Sequence, residues 1–261
     1  EQFHSRAEKI SGEMMLARSE LIRLGEWGSG RLRVGATAAT CQYILPPVLR
    51  KFQNKFPKCH LTVNPGYIPE IMASFRNNTI DVAVTWDLES DPELQFTPLF
   101  EDELVFMVGR DHPWAEGGRI KRVEVPRQQY ILYNASTNRQ RSQSSSDSIF
   151  RPSGIYEAIV RYFNHEGMAI KSVIDMGSMS AIKELVKLGL GVTILAPWVA
   201  QTELSEKSLV ALPLGRRKLK RKWGTLHRED RPMGWAGETF IQLCQSSTRQ
   251  FAALHGLKAY G

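Results

Sequence analysis

Residues 31–56 read RLRVGATAATCQYILPPVLRKFQNKF, and this stretch decides the fold. Its first residues place apolar side chains at every second position, at Leu32, Val34 and Ala36, as a short strand does. A turn of small residues follows, and the apolar side chains then recur at helical spacing. The stretch therefore predicts a strand, a tight turn and an amphipathic helix in succession.

The predicted helix contains two prolines, Pro46 and Pro47. A proline lacks the backbone N–H and is tolerated only in the first turns of a helix. The helix is therefore expected to begin between about Thr40 and Tyr43.

The turn before this helix is the first candidate binding site. Thr37 and Thr40 are expected where unpaired backbone N–H groups point outward, at the carboxyl end of a strand. An open α/β sheet takes small, often anionic, ligands at this edge. The alternative is that the two threonines only cap the helix.

The same alternation of strand and helix patterns runs along the rest of the chain. Strand patterns at 60–66 and 79–86 flank a helix pattern at 68–77, and together with 31–56 they predict a doubly wound half-domain. Two short strands at 94–98 and 103–108 come next. A linker pattern and a second unit follow, with strands at 129–133, 170–176 and 191–196 and helices at 154–166 and 178–188. The second unit is followed by a strand at 220–228 and a helix at 235–253.

The expected fold class is α/β, with two Rossmann-like lobes and a cleft between them, preceded by a long N-terminal linker helix. The predicted domains are a linker and dimerisation helix at 1–28, a first lobe at 31–112 plus 224–261, and a second lobe at 116–215. Two crossing segments near 110–116 and 213–224 would join the lobes. Such a cleft is the default binding site because the carboxyl ends of both sheets face it.

Residues 3–24 carry the clearest helical pattern, an unbroken heptad seam from Phe3 to Leu24. A sustained repeat of this kind favours a dimerising coiled coil. The alternative is that the helix packs on its own domain.

Composition is that of an ordinary globular protein, with 42% hydrophobic and 23% charged residues among 261. No apolar run is long enough to span a bilayer, and the three cysteines lack metal spacing, so a cytoplasmic protein with reduced thiols is expected. The basic run at 216–222 is interpreted as a solvated strand or loop rather than a nucleic-acid or membrane contact.

A search for catalytic machinery returns no nucleophile with a base, no metal cluster and no phosphate loop. Asp87, after a predicted strand, is interpreted as a cap or ion-pair partner rather than a base, and Cys41 as an ordinary thiol rather than a redox sensor. Neither enzymatic activity nor a cofactor is expected. What remains is a set of neutral donors at strand ends, suited to holding an anion or a carboxylated metabolite.

Four segments, taken together and in this order, resemble the effector-binding domain of the LysR-type transcriptional regulators. They are LRVGATAATCQYILPPVLRKFQNKFP, IDVAVTW, LVFMVGRDHPWA and SAIKELVKLGLGVTILAP. The resemblance covers residues 31 to about 230, and the heptad helix resembles the linker helix that pairs two subunits. It implies a periplasmic-binding-protein-like fold, a small-molecule effector between the lobes, and dimers or tetramers. It also implies a winged helix-turn-helix that binds promoter DNA, and this module is expected to be absent from the chain.

Transferred residue by residue, the family's ligand contacts fall on three strand ends and one helix start. The candidate ligand-binding residues are Thr37, Ala38, Ala39, Thr40, Thr85, Trp86, Tyr133, Asn134, Gly177 and Ser178. The alanines at 38 and 39 depart from members that bind inorganic anions, which leaves room for a bulkier organic acid. A solute-binding protein of a transport system shares the two-lobe fold and is the alternative function.

Overall fold

The computed structural model describes residues 30–86, 93–117, 120–133, 154–231 and 233–260. The heptad helix predicted at 3–24, Asp87 and Asn134 lie outside these residues. The described strands are β1 (Gly30–Ala36), β2 (Cys59–Pro65), β3 (Val82–Trp86), β4 (Leu94–Gly109), β5 (Gln129–Tyr133), β6 (Ser172–Met176), β7 (Thr193–Leu195), β8 (Leu209–Leu212), β9 (Leu219–Arg228) and β10 (Lys258–Ala259). The described α-helices are α1 (Leu45–Lys55), α2 (Ile68–Arg76), α3 (Pro113–Gly117), α4 (Ile155–His165), α5 (Met179–Lys187), α6 (Gln201–Ser205) and α7 (Gly234–Leu254).

The first sheet is built on the predicted half-domain. Strands β2, β1 and β3 run parallel in that order, so that Val34 lies between Val63 and Val82. Helix α1 packs on one face, where Phe52 meets Phe240 of α7 at 5.8 Å between ring centroids. Helix α2 covers the other face through a smaller apolar cluster around Ile71. The doubly wound arrangement predicted for residues 31–86 is therefore confirmed.

The helix after β1 begins two residues before the predicted range, at Ala38. Residues Thr40–Ile44 form a π-helical turn, and α1 continues from Leu45. Both prolines lie in the first turn of α1, where their missing N–H groups interrupt the regular bonding pattern. A wider turn ahead of them agrees with the usual place of π-bulges next to functional sites.

The two short strands predicted at 94–98 and 103–108 are one continuous strand, β4, of 16 residues. Acidic residues 101–103, within the continuous strand, face basic residues 220–222 of β9 across an antiparallel ladder. Opposite charges across neighbouring strands stabilise a sheet. The prediction of a break was wrong because the pairing partner lies more than a hundred residues away in the chain.

Strand β4 belongs to two sheets. Its first part, Leu94 to Leu104, pairs with β9, and its last part, Val105 to Gly109, pairs with β7 and β8. In the second sheet, β5 and β6 are parallel, and a bridge between Tyr130 and Val192 attaches them to the chain entering β7. The sheets therefore meet along β4, which confirms the predicted α/β class with two Rossmann-like lobes and a cleft.

The chain returns to the first sheet after β8. Strand β9 lies between β3 and β4, and α7 packs on α1, where the Lys51 Nζ donates to the Ser247 Oγ at 3.1 Å. Pairing changes from the first sheet to the second between Leu104 and Val105, upstream of the crossing segment expected near 110–116. The division into domains at the boundaries given above stays a prediction.

Replacement of Gly191 by alanine should destabilise the second sheet. A Cβ at this position would lie against the backbone carbonyl of Gln129, which accepts a hydrogen bond from the Val192 N–H at 2.8 Å. The backbone would have to shift, and overpacking of this kind costs roughly 1–3 kcal/mol. Gly30→Ala is the matched control, because a Cβ there meets nothing within 4 Å. Urea unfolding of both variants measures the difference, and equal stabilities would contradict the assigned packing.

Candidate functional site

A cavity of about 70 Å³ lies where the strands of both sheets end. Its lining includes residues that follow β1 and β2 and the last residue of β3 from the first sheet. From the second sheet it includes the last residue of β5 and Met179, which follows β6. Five of the predicted site residues line it: Thr37, Ala38, Ala39, Trp86 and Tyr133. This position, at the carboxyl ends of parallel strands, is where open α/β sheets bind ligands.

The turn after β1 is held by its own hydroxyl groups. The Oγ1 atoms of Thr37 and Thr40 lie 2.8 Å apart, and the backbone N–H of Thr40 donates to Thr37 Oγ1 at 3.3 Å. Thr37 therefore caps the helical turn and also lines the cavity. Thr40 is fully buried behind it and does not contribute to the lining.

Thr85 and Trp86 lie in different surroundings at the end of β3. Successive side chains of a strand point to opposite faces, and it is Trp86 that lines the cavity. Thr85 is fully buried, and its hydroxyl has no partner among the described residues. The structure therefore does not bring Thr85 into the cavity with Thr37.

The second sheet contributes Tyr133 and the start of α5. Burial, with a smaller contribution from Glu70, raises the pKa of Tyr133, so its phenol remains a neutral donor. Ser178 is exposed and caps α5, accepting the Ala181 N–H at 3.3 Å, while Gly177 is exposed beside it. Met179, one residue further along the chain, lines the cavity in their place.

Sequence reasoning missed the remaining lining residues. They come from the starts of α2 and α4, from the start of α5 and from β9: Gly66, Tyr67, Ile68, Gly154, Ile155, Met179, Arg221 and Trp223. Arg221 is the most informative among them. It is the only charged residue among the described residues that line the cavity.

Arg221 is bound from behind by a buried carboxylate. The guanidinium donates from Nε to Asp102 Oδ1 at 3.0 Å and from Nη2 to Asp102 Oδ2 at 2.5 Å. The indole N–H of Trp198 donates to the same Oδ2 at 2.9 Å. The side chain of Arg221 is 6% exposed and that of Asp102 is 0% exposed, so the pair is shielded from solvent screening.

The interpretation of the basic run as a solvated segment was therefore wrong at Arg221. Its neighbours Arg216, Arg217, Lys218, Lys220 and Lys222 are exposed as expected. A usable signal existed: three acidic residues at 101–103 match three basic residues at 220–222, as they would in an antiparallel pair. Strand alternation then places the central member of each triplet on one face and its two neighbours on the other.

Behind the cavity, Lys183 of α5 reaches across to the first sheet's helical turn. Its Nζ lies 2.8 Å from Glu203 Oε1 and donates to the Val199 carbonyl at 3.2 Å and to the Tyr43 hydroxyl at 3.5 Å. Tyr43 belongs to the π-helical turn, so this contact ties the start of α1 to α5. The π-helical turn and α5, which support the cavity from the two sheets, are thereby connected to each other.

Neither metal nor thiol chemistry is indicated in the described part of the chain. No group of three or more His, Cys, Asp and Glu residues there could hold a metal ion. Burial raises the pKa of the Cys41 thiol, which lowers the fraction of reactive thiolate at neutral pH and disfavours a redox sensor.

Within the described ranges, none of the helices combines the length and the apolarity that spanning a bilayer requires.

An open groove of about 480 Å³ lies elsewhere, along α4. Its lining residues Glu157, Val160, Arg161, Asn164 and His165 all come from that one helix. None of the other described elements contributes to its lining, so it lacks the concave, many-sided lining of a ligand site.

The family profile of the LysR substrate binding domain matches residues 27–249. The chain belongs to this family. It is the effector-binding domain of a LysR-type regulator, as the four sequence segments indicated, and the match covers every residue around the cavity. This identity favours ligand sensing in a regulator over the alternative of a transport solute-binding protein.

Similar proteins agree with this assignment. The LysR-type domain is 23% identical over 244 residues to the HTH-type transcriptional regulator CysL of Bacillus subtilis, covering 94% of this chain and 76% of CysL. It is 26% identical over 223 residues to the regulator CbbR of Sinorhizobium medicae, covering 85% of this chain and 66% of CbbR. The regulatory domain of CcmR from Synechocystis PCC6803, solved in complex with 2-PG, superposes with a TM-score of 0.71 at 20% identity, covering 85% and 98% of the two chains.

Removal of the charge at Asp102 should strongly destabilise this LysR-type domain. Asp102→Asn keeps the shape but leaves the Arg221 charge buried without a counter-ion, a change that typically costs about 3–5 kcal/mol. The matched control is Glu103→Gln on the same strand, because Glu103 pairs with Lys218, which is 59% exposed. An exposed pair contributes less than about 1 kcal/mol. Urea unfolding of the two variants should separate them clearly, and similar losses would contradict the buried pair.

Proposed function

We propose that this domain senses a small acidic metabolite, which binds in the cavity between the two sheets and controls DNA binding by a winged helix-turn-helix module of the parent regulator. The observation that carries the proposal is the composition of the cavity wall. Thr37 and Ala39 come from the first sheet, Tyr133 and Met179 from the second, and Arg221 from the returning strand β9.

A ligand that touches both sheets can act as a signal. It binds with different affinity to different relative orientations of the sheets, and this difference shifts the population between them. The contact of Lys183 with Tyr43 gives the shift a path, because it joins helices that begin at opposite walls of the cavity. Movement of either cavity wall would therefore be transmitted to α1 and α5.

The related proteins support the same role. CysL and CbbR are transcriptional regulators, and the CcmR regulatory domain was solved with 2-PG bound. We infer by analogy that this domain has no enzymatic activity, that it acts in the cytoplasm and that it self-associates through its linker helix and first lobe. Promoter DNA would be contacted only through the winged helix-turn-helix module.

A thermal-shift screen of carboxylates, aromatic acids and phosphorylated metabolites should identify the effector class. A ligand that binds only the folded state raises the unfolding midpoint in proportion to its affinity. Ala38→Phe places a large side chain at the cavity wall and should abolish the shift, since the occupied volume is then unavailable. Ala253→Phe, at an exposed position of α7, is the control and should leave the shift unchanged.

Two outcomes of the screen would contradict the proposal. One is a ligand-induced shift that persists in full in Ala38→Phe, because the ligand would then bind outside the cavity. The other is the absence of any shift with all three compound classes in the unsubstituted domain.

A further inference from the structure

We propose that Arg221 and Trp223 together recognise a single carboxylate, and that the effector is a monocarboxylic acid. The proposal deepens the proposed function and rests on the cavity being the effector site. It concerns two residues of β9 that lie two positions apart and therefore on the same face of the strand.

The orientation of the guanidinium is the first observation. Asp102 takes hydrogen bonds from Nε and Nη2, along one edge of the planar group. Nη1 has no acceptor among the described residues, and Arg221 lines the cavity. An arginine fork whose one edge is occupied offers its other edge to a planar anion, and a carboxylate matches that edge with two parallel hydrogen bonds.

The aromatic neighbours keep the guanidinium in this orientation. Its central carbon lies 4.9 Å from the ring centroid of Trp223 and 6.0 Å from that of Trp86, both within the range of cation–π attraction. Asp102 fixes the group from behind. The donor edge is thus held in place before a ligand arrives, which reduces the ordering cost of binding.

An unsatisfied donor beside Arg221 is the second, independent observation. Trp223 is 1% exposed and lines the cavity, and its indole N–H has no partner among the described residues. A buried donor without an acceptor is costly and uncommon in a native protein. An oxygen of the same carboxylate would satisfy it, so that one anionic group accounts for both residues.

The charge of the wall limits the ligand to one carboxylate. Arg221 is the only cationic side chain among the described lining residues, and the others are apolar, aromatic or small. A second carboxylate in the cavity would be desolvated without a counter-charge, which is strongly unfavourable. A dicarboxylate should therefore bind more weakly than a monocarboxylate of the same length.

The cavity has room for a short-chain acid beside Arg221. About 70 Å³ is available, and one water-sized group needs roughly 10–15 Å³. Propionate, lactate and butyrate are therefore suitable probes.

The test compares carboxylates with their uncharged amides on the 261-residue chain. The probes are propionate, lactate and butyrate, the matching amides propionamide, lactamide and butyramide, and the dicarboxylate succinate. Affinities are measured by calorimetry for the unsubstituted chain and for Arg221→Lys, Trp223→Phe, Lys222→Gln and Ala38→Phe. Lys222 is exposed on the same strand and serves as the control for charge alone.

The expected result is binding of at least one of the three monocarboxylates, with the amide and succinate at least tenfold weaker. Hydrogen bonds to charged groups are strong, so Arg221→Lys and Trp223→Phe should each lower the affinity by roughly tenfold to a hundredfold. Lys222→Gln should leave it unchanged. Trp223→Phe keeps an aromatic ring against Phe100 and removes only the donor and part of the volume, so it reports on recognition even if Arg221→Lys folds poorly.

Three results would overturn the inference. They are no binding of any of the three acids, equal affinity for acid and amide, and an affinity that Arg221→Lys and Trp223→Phe leave unchanged. A neutral or cationic effector that Ala38→Phe excludes and Arg221→Lys retains would refute this inference alone and leave the proposed function standing. Binding that Ala38→Phe does not affect would refute both.

Discussion

The buried ion pair between Asp102 and Arg221 is the interaction on which the rest of the structure depends. Two opposite charges that are almost fully removed from water are stable only when they are closely paired and hydrogen-bonded. The bidentate contact between Asp102 and Arg221, with the added hydrogen bond from Trp198, meets this requirement. Asp102 and Arg221 lie directly opposite each other in the β4–β9 ladder, and Asp102 is three positions before Val105, where β4 passes to its second set of partners. A slip of β9 by one residue in this register would turn Arg221 to the other face, away from Asp102.

The same ion pair also positions a charged group at the wall of the cavity. Because Asp102 occupies one edge of the guanidinium, the other edge is held at the cavity wall instead of turning to solvent. The aromatic cluster around the pair contributes to both roles: Trp223 stacks on Phe100 at 5.8 Å within the core, and it also lines the cavity. In the proposed effector site the charged group thus lies on a regular strand, where backbone hydrogen bonds fix its position.

Much of the fold could be predicted because it follows from the local periodicity of apolar residues. The strand, turn and helix at residues 31–56, and the α/β alternation that follows, need only neighbouring residues to be recognised. The cavity lining was predicted in part for the same reason: Thr37 follows a strand, Trp86 and Tyr133 end strands, and the carboxyl ends of parallel strands converge. Arg221 could not be placed in this way, since its burial depends on a partner 119 positions away in the sequence. Thr85 and Trp86 show a further limit of prediction from sequence. Which of these two adjacent residues faces the cavity depends on the register and twist of the sheet.

Strand β4, shared by both sheets, determines how the two halves of the molecule can move. A hinge made of irregular loops would allow the two sheets to open widely. Here the hydrogen-bonded ladder of β4 continues through the junction. Sliding one sheet along the other would therefore break backbone hydrogen bonds on both sides of this strand. Torsion of the strand breaks none of them. The register shift between Pro98 and Phe100 gives β4 a point of extra pliability close to the junction. If the two sheets reorient, the shared strand therefore restricts the change to a twist of β4 and opposes sliding of one sheet along the other.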